Sequence, residues 1–218
     1  GKYLSPKLYV SYGVSMVGSA ARFEDCSLAG NTCNQKGAAV SATLCTSAEF
    51  IRCSLFSNQS WTSGGAFYLD RSSILISECD IHDNGAAEDG GGIYATNPTG
   101  TTIVGGRLWN CEALRNGGGL YVDSTGVWEI RDCLVGANRE CVNGGGMYLT
   151  GTGAARVLRN RILGNRTLTP AIQKGGGVYL DWPSTAVLDG NTIAGNAAAE
   201  GSALYIAAGG ATFKNNII

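Results

Sequence analysis

The amino-acid sequence predicts an all-β solenoid of about eight stacked coils, each 26–27 residues long and built from three short strands. Two recurring motifs support this fold class. A glycine-led strand with a central tyrosine occurs at 64–70, 90–96, 117–123, 144–150, 175–181 and 201–207. A second pattern, an apolar residue followed by Cys or Asn, another apolar residue and a final Asn, occurs at 23–31, 50–58, 76–84, 130–138, 157–165 and 188–196. Because both motifs keep the same period, we expect each repeat to bury its apolar face by stacking on its neighbours.

The first strand of each coil follows the glycines. In GGGLYVD (117–123), the alternation places Leu120 and Val122 inside and Tyr121 and Asp123 outside. The second strand ends at an apolar residue, and the third strand follows a bend and carries one inward apolar residue. The β-branched and aromatic residues in these short runs favour strands over helices. We therefore expect parallel strands that stay in register from coil to coil.

The coupled repeats resemble those of the right-handed parallel β-helices, the pectin-lyase-like fold. Phe56-Ser57-Asn58 followed by Gly64-Gly65-Ala66-Phe67 is similar to the coupled FxxN and GGA-[I/F] elements of the polymorphic outer membrane proteins. The resemblance extends over nearly the whole chain and implies a right-handed solenoid. Adhesins, pectin-type lyases, tailspikes and surface modules share this architecture, so the resemblance implies the fold more specifically than the activity.

Composition limits the class of protein. The 218 residues carry a formal net charge of −1, which gives no argument for a nucleic-acid or anionic-membrane partner. No apolar run approaches the roughly 18 residues that a membrane-spanning helix requires, so no membrane insertion is expected. We expect 1–218 to be a single domain and, because it stops inside a strand motif, part of a longer chain. A lone histidine and no Cys-x-x-Cys pair predict no metal site and no cofactor.

A column of polar residues marks one corner of the coils. It predicts an asparagine ladder, in which each side chain bonds the next coil and satisfies buried backbone groups. The ladder residues are Asn31, Asn58, Asn84, Asn138, Asn165 and Asn196, with Cys111 at the remaining position. Asn58-Gln59-Ser60 and Asn165-Arg166-Thr167 are also glycosylation sequons, so a glycosylated corner is the alternative to the ladder.

The eight cysteines form two groups. The first shares one inward column, where parallel side chains suit small buried thiols better than disulfides. It consists of Cys26, Cys53, Cys79 and Cys133. The other four lie outside this column and predict two disulfides of a secreted protein. The predicted pairs are Cys33–Cys45 and Cys111–Cys141.

Six outward tyrosines form the main candidate contact surface. They are Tyr68, Tyr94, Tyr121, Tyr148, Tyr179 and Tyr205, bordered in alternate coils by Asp70, Asp123 and Asp181. Aromatic rings beside carboxylates can hold a glycan or anchor a protein partner, whereas aromatic ladders also stabilise sheets without binding anything. A secondary patch consists of Phe56, His82 and Trp109, one above another in successive coils. The segment 166–174 carries an insertion of four residues, and insertions in solenoids often lie on the binding side.

These patterns predict a structural and adhesive module that is extracellular or on the cell surface. The secreted-type cysteines and the tyrosines favour contact with other segments or subunits of an extracellular assembly, or with a glycan. The alternative is a polysaccharide-active enzyme, either a lyase or a glycoside hydrolase. No catalytic residue is assigned, because the GHG, Asp-Asp and Arg-x-Lys signatures of the pectin-active proteins are missing from the sequence.

Overall fold

The computed structural model describes residues 12–139, 141–151, 153–168, 172–181 and 185–218, which form a parallel β-solenoid. The first sheet has eight strands: β1 (Val14–Val17), β5 (Val40–Thr43), β9 (Phe67–Asp70), β13 (Ile93–Thr96), β17 (Leu120–Asp123), β20 (Met147–Thr150), β23 (Val178–Leu180) and β26 (Leu204–Ile206). The second sheet also has eight: β2 (Arg22–Glu24), β6 (Ala48–Ile51), β10 (Ile74–Ser77), β14 (Thr102–Val104), β18 (Trp128–Arg131), β21 (Ala155–Leu158), β24 (Val187–Asp189) and β27 (Thr212–Lys214).

The third sheet lies beyond a sharp bend in each coil. It has seven strands: β3 (Ser27–Ala29), β7 (Ser54–Phe56), β11 (Asp80–His82), β15 (Arg107–Trp109), β19 (Leu134–Gly136), β22 (Arg161–Leu163) and β25 (Thr192–Ala194). A short fourth sheet follows the asparagine corner. It has four strands: β4 (Thr32–Cys33), β8 (Gln59–Ser60), β12 (Gly85–Ala86) and β16 (Glu112–Ala113). Seven coils thus contain the three predicted strands, the last contains the first two of them, and four coils add this two-residue strand.

Every sheet joins equivalent residues of successive coils. Tyr94 pairs with Tyr68 on one side and with Tyr121 on the other, and Ile76 pairs with Ile103 in the second sheet. All these pairings are parallel, because each chain segment returns to the same sheet after one full coil. The predicted all-β solenoid and the predicted register between coils are confirmed.

The corners of the coils depend on residues in the left-handed backbone region. Arg52 (φ 49°) turns the chain between the second and third sheets, and Ser57 (φ 55°) follows the third sheet. Gly64 (φ 73°) precedes the first-sheet strand, and a Cβ there would lie 2.3 Å from the carbonyl oxygen of Phe67. Only glycine fits this third corner, which explains why glycine leads every tyrosine strand.

The inward side chains form a continuous apolar core. Phe50, Leu55 and Leu69 have no exposed surface. The Phe50 ring stacks on Phe23 at 4.7 Å between centroids and meets Phe67 edge-on at 5.0 Å. Since the interior is filled by side chains, any ligand must be recognised on the outer faces of the sheets or at the corners.

Candidate functional site

The six tyrosines form one ladder along the outer face of the first sheet, which we call the tyrosine ladder. Their ring centroids are 4.8–5.7 Å apart and their planes differ by only 3–21°. The ladder contains Tyr68, Tyr94, Tyr121, Tyr148, Tyr179 and Tyr205. Because each ring covers the face of the next, the ladder presents ring edges and hydroxyl groups to solvent rather than ring faces.

Lysines cover rings at both ends of the tyrosine ladder. Lys36 Nζ lies 5.0 Å from the ring centroid of Tyr68 and 5.3 Å from that of Tyr94. Lys174 Nζ lies 4.5 Å from the centroid of Tyr205 and donates to its hydroxyl at 2.8 Å. These cation–π contacts occupy ring surface that a ligand would otherwise meet, and they hold the terminal rings in place.

Burial keeps the hydroxyls of three central ladder tyrosines protonated. Burial raises the pKa of Tyr94 to about 12, with the carboxylate of Asp89 adding to the shift. Burial likewise raises the pKa of Tyr121, and burial together with a hydrogen bond to Asp181 raises that of Tyr148. At physiological pH the neutral hydroxyls of Tyr94 and Tyr121 can therefore both donate and accept hydrogen bonds, whereas the Tyr148 hydroxyl donates to Asp181.

The three bordering carboxylates do not converge on one point. Asp70 and Asp123 both pair in register with Thr96, so two strand spacings, about 10 Å, separate them. Asp70 forms an ion pair with Arg71 at 2.9 Å, and Asp181 accepts a hydrogen bond from the Tyr148 hydroxyl. A separation of about 10 Å lies just beyond the roughly 6.5–9.5 Å of an inverting glycosidase pair.

The secondary patch is a stack of three rings on the outer face of the third sheet. Phe56 and His82 lie 5.2 Å apart between centroids, and His82 and Trp109 lie 4.8 Å apart with planes 18° from parallel. The indole Nε1 of Trp109 donates to Asp80 Oδ1 at 2.8 Å, which fixes the orientation of the ring. His82 Nδ1 lies 2.6 Å from Asp83 Oδ2, and this hydrogen bond lowers the pKa of Asp83.

The next position in this ring column is a glycine, and a groove opens there. Gly136 pairs with Trp109 on one side and Leu163 on the other. The groove has a volume of about 420 Å³, and Arg107, Leu134 and Arg161 also line it. Sequence reasoning identified the three rings but missed this groove. The sequence signal that could have revealed the groove is the 27-residue step from Trp109 to Gly136, where the column of rings has a glycine instead of a side chain.

The predicted ladder asparagines lie inside one corner and bond from coil to coil. Asn31, Asn58, Asn138 and Asn165 each donate from Nδ2 to the Oδ1 of the next ladder asparagine at 2.9–3.0 Å. Asn84 instead donates to Leu55 O at 2.9 Å, and Asn196 donates to Ile162 O at 2.9 Å. Cys111 takes the place of an asparagine, and its N–H donates to Asn138 Oδ1 at 3.0 Å.

Both sequon asparagines belong to this buried ladder. Asn58 is 1% exposed and its Nδ2 also donates to Leu28 O at 3.0 Å. Asn165 is fully buried and its Nδ2 also donates to Val135 O at 2.9 Å. The nitrogen to which a glycan would be attached faces the interior in both residues, so the geometry favours the ladder over the glycosylated corner.

The two predicted disulfides are not formed in the structure. Cys33, Cys45 and Cys111 are free thiols, whose Sγ atoms donate to Gln35 O at 2.9 Å, Thr43 O at 3.6 Å and Trp109 O at 3.4 Å. The predicted partner of Cys111, Cys141, pairs through its backbone with Thr167 of the next coil.

The predicted disulfides do not form because of where each cysteine lies around the coil. Cys33 lies in the fourth sheet, whereas Cys45 lies beyond the end of the first sheet and hydrogen-bonds Ser72 through its backbone. Cys111 lies in the asparagine corner, where it is fully buried. Two cysteines that both lie outside the main cysteine column are therefore not brought together by that fact alone.

Two other kinds of feature are missing from the described residues. No group of three or more His, Cys, Asp or Glu side chains in this part of the chain could hold a metal ion. The same residues contain no helix long and apolar enough to cross a membrane. Of the insertion at 166–174, residues 169–171 lie outside the described residues, and its flanks line a groove of about 450 Å³ with Ala197 and Ala198.

Comparison with known proteins identifies the class of fold. Residues 12–167 and 91–218 match the family described as right handed beta helix region. Because the two matches together extend from residue 12 to residue 218, the chain belongs to this family. This confirms the predicted right-handed parallel β-helix, while the narrower resemblances to pectin-lyase-like proteins and to polymorphic outer membrane proteins stay predictions. Neither the curated proteins nor the solved structures gave a match.

Proposed function

We propose that this β-helix is a structural and adhesive module of an extracellular or cell-surface assembly, and that the tyrosine ladder is its contact surface for a partner protein. The observation that carries the proposal is the unbroken ladder of six stacked, half-buried to buried tyrosines on the outer face of one sheet. Tyrosine is enriched at protein interfaces because it supplies apolar area and a hydrogen-bonding group together. A row of such groups at one-coil spacing fits an extended protein surface.

The stacking of the rings favours a protein over a glycan as the partner of this ladder. A saccharide ring gains most by lying flat against an aromatic face, and here the faces between successive tyrosines are covered by the neighbouring rings. Ring edges and hydroxyls are suited instead to backbone carbonyls, amides and apolar side chains. Asp70 and Asp123 at the border add acceptors for partner amides or cations.

The solenoid itself supports the structural part of the proposal. In-register pairing along the sheets links every coil to the next, and asparagine side chains add hydrogen bonds between coils on either side of Cys111, which favours a stiff rod. At about 4.8 Å per coil, eight coils extend roughly 38 Å. Such a rod can hold the tyrosine ladder at a fixed distance from neighbouring parts of an assembly.

A bead-adhesion assay tests this function. Beads coated with the protein are applied to surfaces carrying type I collagen, fibronectin or polygalacturonate. The triple variant Tyr94→Phe, Tyr121→Phe, Tyr179→Phe removes three hydroxyls and keeps the ring stack. We expect adhesion to at least one of the two proteins, reduced about tenfold or more in this variant, because each lost interfacial hydrogen bond weakens binding.

The control variant removes hydroxyls from a different face. Thr102→Val and Thr212→Val change the outer face of the second sheet, and adhesion should be unchanged. Failure to adhere to either protein, or equal adhesion of the triple variant, would overturn the proposal. Release of new chain ends from polygalacturonate would instead support the alternative, a polysaccharide-active enzyme. Labelling of intact source cells with a membrane-impermeant amine reagent checks the proposed location, which fails if the protein is labelled only after lysis.

A further inference from the structure

The outer face of the second sheet has an apolar centre between two charged ends. Ile51, Leu75 and Val104 point outward in three successive coils and are half-buried. A groove of about 410 Å³ opens on this surface and is lined in part by Glu49, Leu75 and Thr102. We call the outer surface of β2, β6, β10, β14 and β18 the five-strand face, and its outer strands lie about 19 Å apart at the usual strand spacing.

The two ends of the five-strand face carry the same charges in opposite order. In β2, Arg22 precedes Glu24, whereas in β18, Glu129 precedes Arg131. The register of the sheet places Arg22 and Glu129 in one outward column and Glu24 and Arg131 in the other. Each end is therefore the charge-reversed counterpart of the other end.

This arrangement is self-complementary about a two-fold axis that passes through Leu75 parallel to the strands. Rotation about that axis turns a second copy of the chain face to face with the first and reverses the order of its coils. Each outward column then lies opposite itself, so Arg22 meets Glu129 of the second copy, and Glu24 meets Arg131. The symmetry repeats both pairs, which gives four pairs of opposite charges.

The same axis brings the apolar centres of the two copies together. Ile51 lies opposite Val104 of the second copy, and Leu75 lies opposite its own counterpart. Two sheets that pack face to face are about 10 Å apart, a distance at which their side chains interdigitate. Half-exposed apolar side chains are thus removed from water at the middle of the contact.

Neighbouring positions of the axis do not give a complementary contact. If the axis moves half a strand spacing towards the C-terminal coils, Arg22 meets Arg156 and Glu49 meets Glu129. If it moves the same distance the other way, Glu49 meets Leu75. Like charges in opposition and charges against apolar side chains both weaken an interface. The charge pattern therefore selects the axis through Leu75.

The charges of the five-strand face stay paired in such a contact. Arg22 donates to Glu49 at 2.7 Å and to Glu24 at 3.0 Å, and Glu129 accepts from Arg131 at 2.7 Å. A guanidinium group has five donors, so Arg22 can keep these bonds and also reach Glu129 of the second copy. No charge is left alone when water is excluded, which is the main cost of placing ions at an interface.

We propose that the five-strand face binds a second copy of this chain and forms an antiparallel two-fold dimer. A two-fold contact of this kind closes on itself, so association stops at two chains. The face is small and belongs with the weaker class of interfaces, for which we expect a dissociation constant of roughly 10–100 μM. It lies on a different sheet from the tyrosine ladder, and the proposal does not depend on adhesion through that ladder.

Sedimentation equilibrium tests for the dimer. Over about a hundredfold range of concentration around the expected dissociation constant, the mass should rise from that of one chain towards that of two. Added salt should weaken the association, because it screens the charge pairs. Leu75→Asp places two carboxylates against each other on the axis, and it should weaken the dimer at least about tenfold while the circular dichroism spectrum stays native.

Two charge reversals test the pairing of Arg22 with Glu129. Arg22→Glu sets a carboxylate opposite Glu129, and Glu129→Arg sets a guanidinium group opposite Arg22, so each variant alone should dimerise at least about tenfold more weakly. In an equal mixture of the two variants, each chain supplies the charge that the other lacks, and a dimer of wild-type strength or tighter should return. Because Arg22 and Glu129 lie four coils apart within one chain, a purely intramolecular role for them would give no such recovery.

The control variants make the same changes of net charge on other sheets. Arg161→Glu and Glu112→Arg alter exposed side chains of the third and fourth sheets. Each should dimerise as the wild type does, and their mixture should associate no more tightly than either variant alone. This control separates the paired positions from a general attraction between chains of different net charge.

Four results would overturn the proposal. They are a chain that stays monomeric throughout the range, assembly beyond two chains, a dimer that survives Leu75→Asp, and a mixture of the two charge reversals that associates no better than its components. Bead adhesion through the tyrosine ladder is measured separately and on another sheet, so the dimer and the adhesive function can fail independently.

Discussion

The side chain of Asn138 bonds the coils on both sides of it. Its Nδ2 donates to Asn165 Oδ1 at 2.9 Å, and its Oδ1 accepts the backbone N–H of Cys111 at 3.0 Å. The same Nδ2 also donates to Leu108 O at 3.1 Å, and the residue has no exposed surface. One amide thus satisfies polar groups of the coil before it and of the coil after it, in a place that water does not reach.

Replacing this amide should destabilise the fold. In Asn138→Leu, the Cys111 N–H and the Leu108 carbonyl lose a buried partner, which costs about 1–3 kcal/mol. For a chain of this size each kcal/mol lowers the melting temperature by about 2–4 °C. Thermal unfolding followed by circular dichroism measures the change. Gln59→Leu removes an exposed amide beside the same corner and should shift stability by no more than about 0.5 kcal/mol. Equal melting temperatures for both variants would mean that the ladder amides contribute nothing measurable.

Cysteine alkylation should distinguish buried from accessible thiols. Burial raises the pKa of Cys79 to about 12 and that of Cys111 to about 12, so both are protonated and shielded in the folded protein. Cys26 is only partly buried. We expect iodoacetamide to label Cys26 in the native state and to reach Cys79 and Cys111 only after unfolding. Peptide mass spectrometry measures the labelled fraction, and rapid native labelling of Cys79 would contradict the buried column.

The same experiment addresses the disulfides. When the protein from its native source is unfolded without a reductant, Cys33, Cys45 and Cys111 should all be alkylated, because the structure has them as thiols. A parallel sample treated with reductant is the control and should give the same labelling. Protection of Cys33 and Cys45 until the reductant is added would restore the disulfide predicted from the sequence.

Much of the fold could be predicted because the period is set by physical requirements repeated in every coil. Glycine must lead the tyrosine strand, as Gly64 illustrates, and an asparagine must satisfy the corner, as Asn138 illustrates. Because the tyrosine and asparagine columns repeat with the same period, they fix the register of all three long sheets. The fourth sheet was missed because its strands are pairs such as Gln59–Ser60, too short for an alternation of apolar and polar residues.

The candidate sites were less predictable than the fold. Alternation placed Tyr121 outside, but it carries no information on whether neighbouring rings stack or splay apart, and stacking closes the ring faces. The disulfides were inferred from the number of cysteines, whereas pairing depends on which corner each one occupies. The groove at Gly136 forms where a column of rings loses its side chain, and its lining residues Trp109 and Leu163 come from neighbouring coils.

The tyrosine ladder should make stability fall at high pH. An unfolded tyrosine ionises near pH 10, whereas burial raises the pKa of folded Tyr94 to about 12. Folded Tyr94 therefore holds its proton more tightly than unfolded Tyr94 does. The stability that this difference contributes is fully present below pH 10 and is lost as the pH rises through about 12. Urea unfolding between pH 8 and pH 12 measures this loss, with tyrosinate absorbance reporting ionisation.

The variant Tyr94→Phe isolates one member of the ladder. It keeps the ring stack and removes the ionisable hydroxyl, so stability should fall less steeply above pH 10 than in the wild type. Phe23→Leu changes an inner ring that does not ionise, and it should lower stability by a similar amount at every pH. An identical pH dependence for Tyr94→Phe and the wild type would show that Tyr94 is not held neutral by the fold.

Gly106 and Gly136 differ in how closely the backbone of a neighbouring coil approaches them. In Gly106→Ala the new Cβ would lie 2.4 Å from Cys79 O and 3.1 Å from Cys79 N, so a neighbouring strand must move, at a cost of about 1–3 kcal/mol. In Gly136→Ala the nearest atom is Leu163 O at 3.2 Å, and the lower backbone entropy of alanine in the unfolded chain offsets the tight contact. Urea unfolding should therefore give Gly106→Ala a clear loss of stability and Gly136→Ala a change within about 0.5 kcal/mol. Equal losses would mean that position 136, like position 106, needs glycine for packing between coils.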